Sequence, residues 1–134
     1  MNIFVTVAMV LILWLLMTFF SWLWVIISAK STGTILTSDQ FSQKIEETHS
    51  AQIIDVRETS TYKRSHIMGA RNIPSMNFSQ GKSGLRKDRD IFLYDDSLRN
   101  VLRASKALKK QSYDKQHIFL LRGGFKNYPG KKTN

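Results

Sequence analysis

Residues Ile91–Gln111 read IFLYDDSLRNVLRASKALKKQ. Ile91 to Tyr94 is an unbroken apolar and aromatic run, the pattern of a strand buried on both faces. From Val101 the period changes. Val101, Ala104, Ser105 and Leu108 recur at helical spacing on one face, so 101–111 predicts a helix. Between the two lies the polar loop Asp95–Asn100, DDSLRN. Strand, short loop and helix in that order are part of an alternating α/β pattern. The loop that follows such a strand is where ligand and catalytic groups gather in open sheets.

The same alternation extends outward. Ala51–Val56, AQIIDV, predicts a second buried strand, and His117–Leu121 a third, closed by Gly123-Gly124. Thr37 and Gln40 fit a capping box, and Phe41 and Ile45 then share a helical face, so Ser38–Thr48 predicts a helix. A short helix is expected around Ser60–Arg64, and a brief extended piece ends at Asn72–Pro74. Met76–Asp90 is polar, contains Gly81 and Gly84, and reads as a long surface loop. The expected fold is α/β, a mainly parallel sheet flanked by helices.

Ile3–Ile27 carries no charge, and its only hydroxyl residues are Thr6, Thr18 and Ser21. A bilayer core needs about 20 apolar residues in a helix, so 3–27 predicts one N-terminal transmembrane helix, with the lipid bilayer as its partner. Trp22 and Trp24 stand near its end, where aromatic side chains anchor at an interface. A cleaved signal peptide is the rival reading, with Ala29 as the small residue before a cut. The missing basic n-region and the length of the apolar run argue against it. Every charged side chain follows the run, starting at Lys30, so the positive-inside rule predicts a cytoplasmic domain and a single-pass topology. Residues 28–34, beginning SAKSTG, read as a linker, 35–130 as the domain and 131–134 as a basic tail.

Lys and Arg number 20 against 10 Asp and Glu, a formal net charge of +10. The chain has no cysteine, which excludes disulfides, thiolate metal sites and a cysteine nucleophile. His49, His66 and His117 lie far apart with no ligand cluster, so they read as structural, and neither metal nor cofactor is expected. Arg99, Arg103, Lys106 and Lys110 are spaced 4, 3 and 4 and predict one basic stripe on the solvent face of the helix. Lys82, Arg86, Lys87 and Arg89 form a second cluster. A solvated face explains such charge by default. Beside a bilayer, each basic residue is worth about 1 kcal/mol against anionic headgroups. Anionic lipid is therefore the first expected partner and an acidic protein the second. No aromatic platform is interleaved, so nucleic acid is not expected.

Taken in order, IIDVRE, HIMGARNIP, IFLY with its loop and helix, and LRGGFKNY resemble the rhodanese-like domain over about Ile35–Tyr128. Asp55-Val56-Arg57 matches the family's Asp-Val-Arg. His66-Ile67, Gly69-Ala70 and Asn72-Ile73-Pro74 match its His-Ile-x-Gly-Ala-x-Asn-Ile-Pro, and Gly123-Gly124 its late double glycine. The resemblance implies that the loop after IFLY is the active-site loop. In active members it begins with a cysteine that carries a persulfide, in a pattern like Cys-x-x-Gly-x-Arg, cradled by inward-pointing N–H groups. Aligned on the strand, Asp95 takes the cysteine position, Leu98 the glycine position and Asn100 the arginine position, with Arg99 one residue early. The resemblance also implies that Asp55 and Arg57 support the loop and that His66 is structural. With the apolar run in front, the chain is similar to a bacterial membrane-anchored, sulfurtransferase-like protein.

A carboxylate cannot hold a sulfane sulfur as a persulfide, and its charge repels thiosulfate. Leu98 disfavours a positive φ by roughly 1 kcal/mol or more. Asp95, Asp96, Ser97, Leu98, Arg99 and Asn100 thus form an active-site-like loop with no catalytic residue. The expectation is a pseudoenzyme, inactive in sulfur transfer and acting in binding or regulation. The alternatives are an accessory sulfurtransferase-type protein working with a cysteine-bearing partner, and a structural membrane-bound scaffold. Asp95 itself has three readings. A phosphatase-like nucleophile would want a second Asp two residues on, where Ser97 stands. A cation between Asp95 and Asp96 would have an incomplete set of ligands. A cap on the following helix, from Asp95, Asp96 or Ser97, needs nothing further, and for Asp95 it predicts that N–H donors hold the pKa below its ordinary value.

Overall fold

The computed structural model describes residues 2–81 and 83–134, with backbone alone over 28–31. In chain order the elements are α1 (Ile3–Thr32), β1 (Thr34–Leu36), α2 (Ser38–Glu47), β2 (Gln52–Asp55), α3 (Thr59–Arg64), β3 (His66–Ile67), β4 (Arg71–Asn72), α4 (Ser75–Ser79), β5 (Ile91–Tyr94), α5 (Leu98–Lys110), β6 (Ile118–Leu121) and β7 (Lys132–Thr133). Single 3₁₀ turns cover Lys115–His117 and Phe125–Asn127. Five strands form a parallel sheet in the order β1-β6-β5-β2-β4.

The runs that read as buried strands are buried on both faces. Ile54, Ile91, Leu93, Ile118 and Leu120 point to one side and pack with Val101, Leu102, Ala104 and Leu108 of α5 and Phe78 of α4. Ile53, Phe92, Tyr94, Phe119 and Leu121 point to the other and pack with Phe41 of α2 and Tyr128. This period-2 alternation between two covered faces is why β5 and β6 are unbroken apolar and aromatic runs. The capping box starts α2: the Thr37 side chain accepts from the Gln40 N–H, and the Gln40 side chain accepts from the Thr37 N–H.

Four expectations change. The stretch read as a linker is helical as far as Thr32, because it contains no breaker before Gly33. A Cβ on Gly33 would lie 2.9 Å from the Ile118 carbonyl oxygen, so glycine lets the chain pass tightly against β6. The long surface loop contains α4, whose Phe78 is fully buried, and Leu85 is buried as well. The helix after β5 starts at Leu98, three residues earlier than its apolar period suggested. The basic tail is a strand: Lys132 and Thr133 pair antiparallel with Ile67 and His66.

The N-terminal helix is long and apolar enough to cross a membrane over Ile3–Ile27, and the most apolar part of it buries nothing against the rest of the chain. Only its end joins the domain. Val25 packs on the core face that holds α5, and the Thr32 hydroxyl lies 2.7 Å from that of Ser105.

Candidate functional site

The carboxyl ends of β2 and β5 lie side by side, with Asp55 in register with Tyr94. Both strands run straight into polar residues, so Asp55, Arg57, Asp95 and Asp96 converge at one edge of the sheet. Asp55 is fully buried, and the Arg57 guanidinium grips it with two prongs. Nε is 2.9 and 3.0 Å from the two carboxylate oxygens, and Nη2 is 2.6 Å from Oδ2. The Arg57 N–H donates to the same carboxylate, and Nη2 also donates to the Ser65 carbonyl at 2.6 Å. Burial works against the Arg57 charge, but the Asp55 hydrogen bond and field outweigh it and leave the Arg57 pKa raised.

Aromatic rings close the other sides. Arg57 stacks over Phe125 at 4.2 Å and lies 5.7 Å from the Tyr94 ring, a cation–π contact strengthened by burial. The Tyr94 hydroxyl accepts the Ile67 N–H at 3.0 Å. Burial, reinforced by the Asp55 charge, pushes the Tyr94 pKa far up and keeps the phenol protonated. The Asn72 amide donates to the carbonyls of Asp55 and Arg57. These contacts place Asp55 and Arg57 as a structural brace beneath the loop.

Asp95 is 4 % exposed, and it does not cap α5. Ser97 is the N-cap residue, and no side chain bonds there. Asp95 lies two residues too early: its Oδ1 accepts the neighbouring Asp96 N–H, and Oδ2 is buried without a hydrogen-bond partner. Burial therefore raises the Asp95 pKa above the ordinary value, with the Asp96 N–H and the Asn100 side chain pulling the other way. The expected lowering by cap donors is overturned, because desolvation of a mostly unpaired carboxylate outweighs one N–H bond. Leu98 opens α5 in ordinary helical form; among described non-glycine residues only Ser50 and Ser112 have positive φ.

The stability consequence reverses sign. With its folded pKa above the unfolded value, Asp95 makes the fold lose stability as pH rises from the unfolded towards the folded pKa, and the cost persists at pH 7. Asp95→Asn keeps an acceptor for the Asp96 N–H and removes the charge. It is expected to stabilise the chain at pH 7 by about 1 kcal/mol, the low end of the cost of an unsatisfied buried group. The gain should vanish below the unfolded pKa. Denaturant unfolding at pH 7 and pH 3 measures both; a variant less stable at pH 7 restores a stabilising role for the charge.

A cavity of about 210 Å³ opens beside the loop, lined by Arg57, Glu58, Ser75, Asp95, Asp96 and Asn100 among others. Asp96 is exposed and reaches Arg57 at 3.7 Å. Among the described residues no cluster of His, Cys, Asp and Glu could hold a metal. The basic stripe divides. Arg103, Lys106 and Lys110 line a groove with Ser79 at the end of α4 and Gln80 just beyond it, whereas Arg99 turns into a cavity against α1 together with Arg122. In the second cluster, Arg86 pairs with Asp88 at 2.7 Å, and Lys82 lies outside the described residues. His66 Nδ1–H donates to the Tyr62 carbonyl at 2.8 Å, and His117 meets Asp90 at 2.9 Å, both structural roles. Sequence reasoning missed Phe125, Tyr94, Asn72 and Glu58 as parts of this site. The double glycine was the available signal for Phe125, because it marks where β6 turns back onto the loop.

A parallel sheet with a strand–loop–helix site at its carboxyl edge, braced from below by a buried Asp–Arg pair, defines a rhodanese-like domain. Residues 37–131 match the family model described as the rhodanese-like domain, and the chain belongs to that family. It is 38% identical over 96 residues to the uncharacterized protein YqhL of Bacillus subtilis (strain 168), covering 72% of each. It is 28% identical to the "Putative sulfur carrier protein YrkF" of the same organism, and the match covers 72% of this chain and 51% of that one. The solution structure of the rhodanese-like domain from the Anabaena sp. Alr3790 protein superposes with a TM-score of 0.65 at 27% identity, over 74% of this chain and 77% of that one. The BH2092 protein of Bacillus halodurans shares the fold at TM-score 0.64 and 20% identity, over 78% and 80% of the two chains.

Proposed function

We propose that this is a single-pass membrane protein whose cytoplasmic rhodanese-like domain does not itself transfer sulfur and acts in binding or regulation. The observation that carries the reading is Asp95. It stands at the head of the β5–α5 loop, where the family resemblance puts the sulfur-bearing cysteine, and the chain has no cysteine elsewhere. A carboxylate there offers no sulfur to form a persulfide. The cavity beside it gathers Glu58, Asp95 and Asp96, while Arg57 is committed to Asp55. A thiosulfate anion would enter a field of its own sign. The apolar length of α1 and the absence of charge before Lys30 support the anchor and its orientation.

The test has two parts. Purified full-length chain in detergent, given thiosulfate and cyanide, is expected to form thiocyanate no faster than buffer; turnover above buffer sinks the inactive reading. Cysteines placed at Lys30 and Lys131 should be shielded from an impermeant thiol reagent in intact cells and labelled after lysis. Labelling of intact cells would put the domain outside. The name of YrkF favours a second reading, in which the domain assists a cysteine-bearing partner. In that case thiocyanate formation by a persulfide-carrying protein should rise when this chain is added.

A further inference from the structure

We propose that the cleft between α1 and the β5–α5 loop holds an acidic phospholipid of the leaflet facing the domain, with Arg99 and Arg122 on its phosphate. The inference rests on α1 crossing the bilayer, as read above. Its geometry follows from how α1 leaves the domain. Thr32 meets Ser105 well inside α5, while Ile26 shares a cavity with Leu98 at the start of α5. The helix therefore runs back past the N-terminus of α5 and out beyond the loop. Counting from Ile3, about 20 residues, or roughly 30 Å of helix, bring a bilayer core to Trp22. Ser97, Leu98 and Arg99 line one cleft with Trp22, Val25 and Ile26 at this end of α1.

The cleft there encloses about 620 Å³. Trp14, Met17 and Trp22 line it on the helix side, and Ser97, Arg99 and Arg122 on the domain side. The apolar wall descends into the region of acyl chains, and Trp22 stands at headgroup depth, where indole rings partition. Arg99 and Arg122 are exposed, and neither forms an ion pair among the described residues. Two guanidinium groups over an apolar slot match the two ends of one phospholipid, since their planar donors pair bidentately with phosphate. Among the described residues no carboxylate lines the cleft to receive a choline or ethanolamine ammonium group. The charge balance therefore selects a headgroup with net negative charge.

The test uses the full chain in nanodiscs of phosphatidylcholine and phosphatidylglycerol at about 4:1, with co-purifying lipid counted by native mass spectrometry after mild detergent release. Phosphatidylglycerol should be enriched over its bulk share. Arg99→Gln and Arg122→Gln should each cut that enrichment about fivefold, from the usual worth of one basic residue at an anionic surface. Ser97→Glu should expel the acidic lipid. Lys106→Gln with Lys110→Gln, in the other groove, should leave the enrichment unchanged. Alkaline carbonate extraction separates the two levels of failure. A chain that resists extraction but retains both lipids in bulk proportion overturns the lipid site and leaves the anchor standing. Enrichment lost equally in the Lys106/Lys110 variant also overturns the site. A chain released by carbonate overturns both.

Discussion

Arg57→Ala is expected to destabilise the domain by about 3–5 kcal/mol, the cost of stranding one partner of a buried ion pair. The Arg57 and Asp55 side chains are 5% and 0% exposed. Removing the guanidinium leaves the Asp55 carboxylate with the backbone N–H of residue 57 as its donor. The Ser65 carbonyl loses its donor, and Phe125 loses the cation over its ring. A domain of this size has a total stability of roughly 5–15 kcal/mol, so the variant would sit near the edge of folding. Arg57→Lys should fall between, because an ammonium is a point charge and cannot reproduce the fork. The diagnostic arm is the double variant. Asp55→Asn added to Arg57→Ala removes the stranded charge, so the pair should cost less than Arg57→Ala alone. All three tryptophans lie in α1. Unfolding should therefore be followed by pulse proteolysis or by circular dichroism rather than by tryptophan emission. A double variant that loses the sum of the two single losses would show that the brace is not an ion pair in any energetic sense.

What the sequence disclosed tracks how locally each feature is determined. Ile91–Tyr94 is legible to the residue, because burial on both faces leaves an unbroken apolar run. Thr37 with Gln40 is legible because a capping box closes over four residues. Phe78 is not, because a single aromatic in a polar window has no period. Its helix is fixed from a distance, where Gln111 donates to the Phe78 carbonyl at 2.6 Å and Tyr113 to that of Leu85 at 2.6 Å. Asp95 shows the finest limit. That it follows a buried strand and precedes a helix was readable. Which of three successive polar residues becomes the N-cap was not, and a two-residue offset turns an expected stabilising carboxylate into a desolvated one. The brace was half legible: Asp55 and Arg57 stand two residues apart in sequence, but Phe125 reaches them only after β6 returns.

Gly124→Ala is the second large effect, at about 3–5 kcal/mol, combining backbone strain with overpacking. Gly124 has φ +80 and ψ 168, a conformation that belongs to glycine. A Cβ there would meet the Asp96 carbonyl oxygen at 2.4 Å and its carbon at 3.1 Å. Both are backbone atoms, so no side chain can swing aside. Relief requires the turn after β6 to move away from the β5–α5 loop. That motion would break the Phe125 N–H bond to the Asp95 carbonyl, now 3.0 Å, and lift Phe125 from Arg57. The substitution therefore damages the loop and the brace together. Gly69→Ala provides the comparison. Gly69 has a similar φ of +86, but nothing lies within 4 Å of its added Cβ. It carries the strain without the collision, about 1–2 kcal/mol. Unfolding of the two variants under one set of conditions separates the terms. If both lose the same stability, the tight approach of Gly124 to the loop contributes nothing. If Gly124→Ala loses several times more, the late double glycine is what lets β6 close over the site.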